Sequence, residues 1–217
     1  MKARLDAIIR SEQAQYLEGL HPANEGLLAE MEVDAAENRV PIADREVALF
    51  LEITARSIGA RSVLEIGMAI GYSVIHLLRG MPADGRVTTI EPNEEMIRRA
   101  GDYFKRAGVA DRVSVERGRA LDVIPRLNET FDLIYLDAVK EEYGAYLEQS
   151  LPLLRAGGVV IADNLLWGGQ VAGEVRSPDQ TASTEALRKF NHAFVSHMRL
   201  RAVVLPVGDG LGYAVKV

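Results

Sequence analysis

The sequence contains no cysteine among its 217 residues and only one tryptophan. The lack of cysteine excludes disulfide bonds, zinc–thiolate sites and a cysteine nucleophile. Long apolar runs are missing as well, since none approaches the ~20 residues that a membrane-spanning helix needs. Residues 1–10 mix charged and apolar side chains and lack the apolar core of a secretory signal. We therefore expect a cytoplasmic protein with no membrane partner.

The chain also lacks an excess of positive charge. It has 31 acidic and 25 basic residues and a net charge of −6. This balance gives no general attraction to nucleic acid or to an anionic membrane, although a local basic patch remains compatible with it. The length and the 48% hydrophobic content fit one compact domain with a full core. We expect a single domain over residues 1–217 whose partner is a small molecule.

Residues 1–60 have the pattern of helices that precede and cover a larger core. Apolar residues recur at roughly helical spacing before a break at His21-Pro22. The first of these apolar residues are Leu5, Ile8, Ile9 and Leu17. Two further helices are predicted over residues 24–37 and 43–58, and the extended link Val40-Pro41-Ile42 separates them.

From residue 62 onward, short apolar strands alternate with helical segments. The predicted strands cover residues 62–67, 86–91, 113–118, 131–137 and 158–163. The predicted helices cover residues 72–79, 94–107, 120–127, 141–154 and 184–198. Such alternation is typical of a parallel sheet with helices on both faces.

The end of the chain breaks this alternation. Two β-like runs, 201–207 and 212–217, are joined by only four residues. A connection this short cannot carry a parallel crossover, so the two runs must pair as an antiparallel hairpin. The sequence thus predicts an α/β fold with a mostly parallel seven-stranded sheet and a C-terminal antiparallel hairpin. This arrangement resembles the Rossmann-like architecture of class I methyltransferases.

A glycine-containing loop follows the first predicted strand, where open α/β sheets bind their ligands. It runs from Glu65 through Gly67 and Gly71 to Tyr72 and Ser73. Gly67 allows a tight turn, and Gly71 opens the next helix. Free N–H groups at that helix start, together with the Ser73 hydroxyl, are suited to bind a carboxylate such as the methionine end of a cofactor. An unliganded turn is the other interpretation of the same glycines.

The ends of the next two strands add to this candidate cofactor site. The second strand ends at Glu91, whose carboxylate is placed to accept hydrogen bonds from both hydroxyls of a ribose. After the third strand, the small residue Ala120 leaves room for an adenine ring. As an alternative, Glu91 is a solvated turn residue.

Two carboxylates at the ends of neighbouring strands suggest a metal site. Asp137 ends the fourth strand, and Asp163-Asn164 ends the fifth. Two carboxylates and an amide oxygen suit Mg²⁺ first, and Mn²⁺ or Ca²⁺ as alternatives, rather than zinc. A metal there would polarise and orient a bound hydroxyl, and Lys140 would be placed to take its proton. Helix capping by each aspartate and a solvated lysine are the alternatives.

A Gly-rich segment, residues 164–176, is interpreted as a lid over this site. It contains Trp167, the single tryptophan of the chain. Trp167 would pack against a flat substrate or anchor the loop. Ile42, in the link before the third helix, is a second candidate to cover the substrate.

These residues resemble the cation-dependent O-methyltransferases, the family of catechol and caffeoyl-CoA methyltransferases and their bacterial relatives. The resemblance covers the chain from Val40 onward. It rests on Val63-Leu64-Glu65-Ile66-Gly67 with Ile70-Gly71-Tyr72-Ser73, on Asp137-Ala138-x-Lys140-x-x-Tyr143, and on Asp163-Asn164-x-x-Trp167-x-Gly169. The resemblance implies an enzyme that uses S-adenosylmethionine (SAM) and a divalent cation to methylate a vicinal hydroxyl of a small aromatic compound.

By the same resemblance, the metal ligands are Asp137, Asp163 and Asn164, and Lys140 is the general base. Asp137 also lies beside the cofactor.

The resemblance further assigns the ribose to Glu91 and the methionine carboxylate to Ser73, with Gly67 and Tyr72 supplying nearby backbone. A homodimer is implied, with the N-terminal helices over the active site. Met68 departs from the family pattern, in which a threonine or another smaller residue is common.

A second hypothesis keeps the chemistry but changes the substrate to 5-hydroxyuridine in transfer RNA. Bacterial members with a Val-Pro-Ile link and an Ala-Ile-Gly-Tyr-Ser loop, both present here, include such enzymes. RNA binding needs a basic surface. Seven basic residues are concentrated in one region: Arg98, Arg99, Lys105, Arg106, Arg112, Arg117 and Arg119. Arginines on a helix are also typical of a solvated face.

Two further classes of protein remain as alternatives. A nicotinamide-dependent oxidoreductase would need the spacing G-x-G-x-x-G, but Ala69 and Tyr72 stand where its second and third glycines would fall. A cofactor-binding module without catalysis would have no need of the carboxylates and the lysine of the candidate metal site.

Overall fold

The computed structural model describes residues 11–20 and 23–217. Its helices are α1 (Ser11–Leu20), α2 (Gly26–Asn38), α3 (Arg45–Ser57), α4 (Tyr72–Gly80), α5 (Glu94–Arg106), α6 (Ala120–Val123), α7 (Tyr143–Ser150) and α8 (Thr181–Ser196). Its strands are β1 (Ser62–Ile66), β2 (Arg86–Glu91), β3 (Val113–Arg117), β4 (Phe131–Leu136), β5 (Leu154–Ala162), β6 (Leu200–Leu205) and β7 (Leu211–Lys216). The helical pattern at Leu5, Ile8 and Ile9 and the break at His21-Pro22 lie outside the described residues.

The seven strands form one sheet in the order β3-β2-β1-β4-β5-β7-β6. The pairs among β1 to β5 are parallel, and both pairs that include β7 are antiparallel. The predicted class I methyltransferase fold with a C-terminal hairpin is therefore confirmed. Because β7 inserts between β5 and β6, the hairpin turn lies at the carboxyl end of β5, next to Asp163 and Asn164.

Alternate residues of each central strand face opposite sides of the sheet, and both sides are buried. Val63 of β1 belongs to a cluster with α2, α3, α4 and α5, whereas Leu64 belongs to a cluster with α6, α7 and α8. This two-sided burial explains why the strand sequences are almost continuously apolar. The carboxyl ends of the strands are left to form the site.

Two predicted helices are shorter than expected because of proline. The segment predicted over 120–127 is α-helical only to Val123 and continues as a 3₁₀ turn containing Pro125. The segment predicted over 141–154 holds α7 followed by a 3₁₀ turn containing Pro152. Proline has no N–H for an i→i−4 bond, so the α-helix ends near it. No helix within residues 11–20 and 23–217 is long and apolar enough to span a bilayer.

A polar network ties the N-terminal helices to the helix that follows the glycine loop. The Tyr72 hydroxyl at the start of α4 donates to Glu32 Oε1 at 2.8 Å and accepts from Asn24 Nδ2 at 2.8 Å. Arg45 donates to both Glu32 oxygens, at 2.8 and 2.6 Å. These bonds, with the Arg45 bonds as the main cause, lower the pKa of Glu32 to about 2. Glu32 thus connects α2, α3 and α4.

We predict that Glu32→Gln lowers the free energy of unfolding by about 1 to 2 kcal/mol at pH 7, because it removes charge-assisted hydrogen bonds. The folded-state pKa of Glu32 is depressed, so its stabilisation is complete above the ordinary pKa of 4.5 and is lost as the pH falls through about 2. Urea denaturation at pH 7 and pH 3 measures both effects, and the difference from wild type is smaller at pH 3.

Glu37→Gln is the matched control, since Glu37 lies exposed on the same helix. Equal unfolding free energies for the two variants at pH 7 would contradict the stabilising role of Glu32.

Candidate active site

A cavity of about 700 Å³ opens at the carboxyl ends of the strands. It lies at the switch point of the sheet, where β2 and β4 flank β1 on opposite sides. Ten predicted site residues line it: Ile42, Gly67, Tyr72, Ser73, Glu91, Ala120, Asp137, Lys140, Asn164 and Trp167. The other three, Glu65, Gly71 and Asp163, are buried and adjoin residues that line the cavity.

The two loop glycines are needed for contacts within the protein. A Cβ on Gly67 would lie 2.0 Å from the carbonyl oxygen of Asp137, so only glycine lets the loop approach the end of β4. A Cβ on Gly71 would lie 2.4 Å from Cε1 of Phe104 on α5. Both glycines have positive φ, 98° and 83°. The loop is thereby held between β4 and α5, with Met68 and Ala69 lining the cavity.

Glu65 lies beneath the loop and holds Ser73. Its carboxylate accepts a hydrogen bond from Ser73 Oγ at 2.5 Å and another from Thr89 Oγ1 at 2.6 Å. Complete burial raises the pKa of Glu65 to about 7. Glu65 is therefore a support for Ser73, which itself lines the cavity.

Glu91 binds the glycine loop while facing the cavity. Its Oε2 accepts from the backbone N–H of Ala69 at 3.0 Å, and its Oε1 accepts from the N–H of Asn93 at 2.9 Å. Ala120, the first residue of α6, lines the same part of the cavity. Glu91 is 8% exposed and accepts two backbone hydrogen bonds, so it is not a freely solvated turn residue.

Lys140 lies in a short 3₁₀ turn beyond β4 and is only 8% exposed. Its Nζ donates to Asp137 Oδ1 at 2.9 Å and to the Tyr143 hydroxyl at 2.7 Å. The Tyr143 hydroxyl also lies 3.2 Å from the carbonyl oxygens of Leu136 and Asp163, so it has acceptors for its own proton. Lys140 is thus a buried, oriented amine rather than a solvated one.

Asp163 is buried at the end of β5 and is paired with protein donors. Its Oδ2 accepts from the Tyr135 hydroxyl at 2.9 Å, and its Oδ1 accepts from the N–H of Asn164 at 2.6 Å. Burial first, and the negative charge of Asp137 second, raise the pKa of Asp163 to about 7. The structure therefore brings the two carboxylates close enough to repel each other.

The donor set fits a hard divalent cation. Among the described residues there is no group of three His, Cys, Asp or Glu side chains that suits a metal. The set here has only two carboxylates, Asp137 and Asp163, and its third member is the amide of Asn164. Asn164 adopts a left-handed backbone conformation (φ 60°), which asparagine tolerates better than most residues. Oxygen ligands of this kind match Mg²⁺, Mn²⁺ or Ca²⁺.

The two tyrosines that organise these groups, Tyr135 and Tyr143, have no role among the sequence predictions, although Tyr143 stands in one of the quoted motifs. Tyr135 precedes Asp137 by two residues and donates a hydrogen bond to Asp163. Tyr143 follows Lys140 by three residues and accepts a hydrogen bond from its Nζ. Two spacings in the sequence could have identified them. Tyr135 and Asp137 are two residues apart, so they point to the same side of a strand, and Lys140 and Tyr143 are three residues apart, the spacing of neighbours on a helical turn.

The fold, the glycine loop and the cavity together define a class I methyltransferase with its cofactor crevice at the switch point. The sequence matches the model of a family described as O-methyltransferase over residues 13–217. The chain belongs to this O-methyltransferase family. The predicted family and enzyme class, a SAM-dependent O-methyltransferase, are thereby confirmed.

Individual relatives agree with this assignment. The catechol O-methyltransferase of Mycobacterium tuberculosis is 40% identical over 156 residues, which cover 71% of each protein. The O-methyltransferase of Bacillus cereus in complex with SAH has a TM-score of 0.81 at 32% identity, covering 94% of this chain and 96% of that one. TomG of Streptomyces achromogenes, involved in tomaymycin synthesis and solved with SAM, has a TM-score of 0.82 at 31% identity, covering 94% and 95%.

We predict that Glu65→Gln stabilises the ligand-free protein at pH 8 by about 1 to 3 kcal/mol. The pKa of Glu65 is raised from 4.5 to about 7 on folding, so the carboxylate costs stability as the pH rises through that window. Thermal unfolding from pH 4.5 to pH 8 measures the effect, and the gain over wild type grows across this range. Glu129→Gln, in an exposed loop, is the control. A pH-independent difference between Glu65→Gln and wild type would contradict the prediction.

Proposed function

We propose that the protein transfers the methyl group of SAM to one hydroxyl of a small aromatic compound with vicinal hydroxyls, with a divalent cation bound beside the acceptor. One observation carries this proposal. The buried amine of Lys140, held at Asp137, lines the same cavity as the glycine loop. A proton acceptor and a cofactor loop thus share one enclosed space.

SAM supplies the methyl group, and the loop residues supply its binding surface. In this proposal Glu91 accepts from the ribose hydroxyls, and backbone N–H groups at the start of α4, that of Ser73 included, bind the methionine carboxylate, because the Ser73 hydroxyl already donates to Glu65. Ala120 leaves space for the adenine. All three residues line the cavity. The glycine loop brings them into one binding surface because it lies between the ends of β1, β2 and β4.

Asp137, Asp163 and Asn164 would hold the cation. When bound, such a cation supplies Lewis-acid polarisation of an acceptor hydroxyl and a fixed point for two neighbouring oxygens. Mg²⁺ is the first choice for this oxygen set, and Mn²⁺ or Ca²⁺ are alternatives. A vicinal pair of hydroxyls suits such a site because both oxygens reach one ion.

Lys140 is proposed to take the proton of the acceptor hydroxyl at its Nζ. Tyr143 accepts a hydrogen bond from this nitrogen and so fixes its direction. Asp137 holds Nζ from the other side at 2.9 Å. The oriented amine therefore removes a proton without any large movement of its own chain.

Two observations support a small molecule over transfer RNA as the substrate. The cavity is flanked by the apolar side chains of Ile42 and Val139 and by the ring of Trp167, which suit a flat ring. Six of the seven residues in the basic cluster considered for RNA form ion pairs within the protein. These ion pairs are Arg98–Glu95, Arg99–Asp34, Lys105–Asp102, Arg106–Glu30, Arg117–Glu94 and Arg119–Glu142, and Arg112 donates to backbone carbonyls.

The catechol O-methyltransferase among the relatives supports the same substrate class. Retention on heparin or transfer RNA that falls steeply with salt would instead favour the RNA substrate. The homodimer and the cytoplasmic location also stay predictions. Sedimentation analysis of the purified protein tests the homodimer.

We predict that Lys140→Met lowers kcat with 3,4-dihydroxybenzoate by about 100-fold, because it removes the proton acceptor but keeps the side-chain volume. SAM affinity measured by calorimetry changes little, because Lys140 contacts Asp137 and Tyr143 rather than the glycine loop. Lys189→Met, exposed on α8, is the control. An unchanged kcat in Lys140→Met would show that Lys140 is not the general base.

We predict that a chelator abolishes turnover and that Mg²⁺ restores it, because two carboxylates and an amide bind hard cations. Asp137→Asn and Asp163→Asn each lower the restored rate by at least about 100-fold. Initial rates in Mg²⁺, Mn²⁺ and Ca²⁺ identify the preferred ion. The exposed Asp179→Asn variant serves as the comparison. Full activity after chelation would contradict the proposed metal site but would not affect the family assignment.

A further inference from the structure

The cavity-facing part of the lid is attached to the turn between β6 and β7. The backbone N–H of Leu165 donates to the Gly210 carbonyl at 2.8 Å, and that of Leu166 donates to the Asp209 carbonyl at 2.9 Å. The N–H of Gly168 donates to the carboxylate oxygen Oδ1 of Asp209 at 2.7 Å. Asp209 is thus the one side chain of the turn (206–210) that hydrogen-bonds the lid beside Trp167.

The bond from Gly168 to Asp209 supports an unusual backbone conformation. Trp167 and Gly168 have φ values of 51° and 59°, both in the left-handed region. A tryptophan rarely adopts this conformation, which costs of order 1 to 3 kcal/mol unless the surroundings hold it. The Asp209 carboxylate supplies such a contact, because it accepts a hydrogen bond from the N–H of Gly168, the residue that follows Trp167.

The turn fits closely against the lid and against α3. A Cβ on Gly210 would lie 2.6 Å from the backbone nitrogen of Leu166, so the turn touches the lid. A Cβ on Gly208 would lie 2.7 Å from Cγ2 of Val47 on α3, just after the link that contains Ile42. The turn therefore has a fixed place from which Asp209 positions the lid.

The Trp167 side chain makes no polar contact that would fix it independently. Its indole nitrogen is buried and has no hydrogen-bond partner among the described residues. The far part of the lid is held elsewhere, because Arg188 of α8 donates to the carbonyls of Gln170, Val171 and Gly173. The position of the indole ring thus follows from the backbone at residues 165–168 and from the packing of the ring against the buried cluster on the α6, α7 and α8 side of the sheet. Arg176 adds one bond there, to the Gly168 carbonyl at 2.6 Å.

We propose that Asp209 is a positioning residue that sets the Trp167 ring against the cavity and thereby determines affinity for the hydroxyl substrate, not for SAM. This inference rests on the proposed function, because it assigns Trp167 to the substrate side of the cavity. The residues given to SAM lie on the glycine loop, β2 and α6, none of which the Asp209 carboxylate contacts by a hydrogen bond.

The test compares Asp209→Ala with Asp209→Asn. Alanine removes the acceptor for the Gly168 N–H, whereas asparagine keeps a side-chain oxygen at the same distance. Because Trp167 is the only tryptophan, its fluorescence reports on the lid directly. We expect acrylamide quenching of Trp167 to increase about twofold or more in Asp209→Ala and the KM for 3,4-dihydroxybenzoate to rise about 5- to 10-fold, the effect of one lost hydrogen bond.

In the same variant the calorimetric Kd of SAM stays within about twofold of wild type, since no SAM-side contact is lost. Asp209→Asn restores both quenching and KM. The control is Asp111→Ala, in the exposed loop before β3. If Asp209→Ala does not fold, Asp209→Ser gives the same test, because its hydroxyl is too short to replace the carboxylate.

Unchanged quenching and unchanged KM in the alanine variant, with or without a lower Tm, overturn the proposal. Increased quenching with an unchanged KM overturns the assignment of Trp167 to substrate affinity. If wild type turns over no hydroxyl substrate, the proposed function fails. The quenching comparison then still decides whether Asp209 positions Trp167.

Discussion

The contact between the glycine loop and the end of β4 is the constraint on which the site depends. At Gly67 any side chain would collide with the Asp137 carbonyl, so the two segments touch backbone to backbone. This contact brings the glycine loop and the Asp137 carboxylate into one crevice although 70 residues separate Gly67 from Asp137 in the chain. The parallel pairing of β1 with β4 makes the contact possible because both strands end at the same edge.

Burial at this edge gives the site its electrostatic character. Glu65 and Asp163 are both enclosed by protein, and burial is the first cause of the raised pKa of each. Hydroxyl groups of neighbouring side chains donate to both carboxylates. The result is a concentration of acidic groups with Lys140 as the adjacent amine. Such a site is suited to cationic partners, which agrees with the proposed sulfonium cofactor and divalent ion.

The walls of the cavity come from segments outside the central sheet strands. The link before α3 brings Ile42, and the lid brings Trp167. Glu32 connects Arg45, at the start of α3, to Tyr72 of α4, and the β6–β7 turn lies against α3 and against the lid. Since β7 pairs antiparallel with β5, the turn that precedes β7 lies at the same edge as Asp163 and Asn164. The C-terminal hairpin therefore contributes to the site as well as to the sheet.

The sequence by itself determined the strands, their alternation with helices, the final hairpin and most of the residues that line the cavity. These features follow from local periodicity, from glycine and proline chemistry, and from the rule that parallel strands end at one edge. Only the tertiary structure decided that Glu65 and Asp163 are buried, that Tyr135 and Tyr143 orient the charged groups, and that six of the seven residues of the basic cluster form ion pairs. Those outcomes depend on contacts between residues far apart in the chain, and a periodic pattern carries no information about such partners.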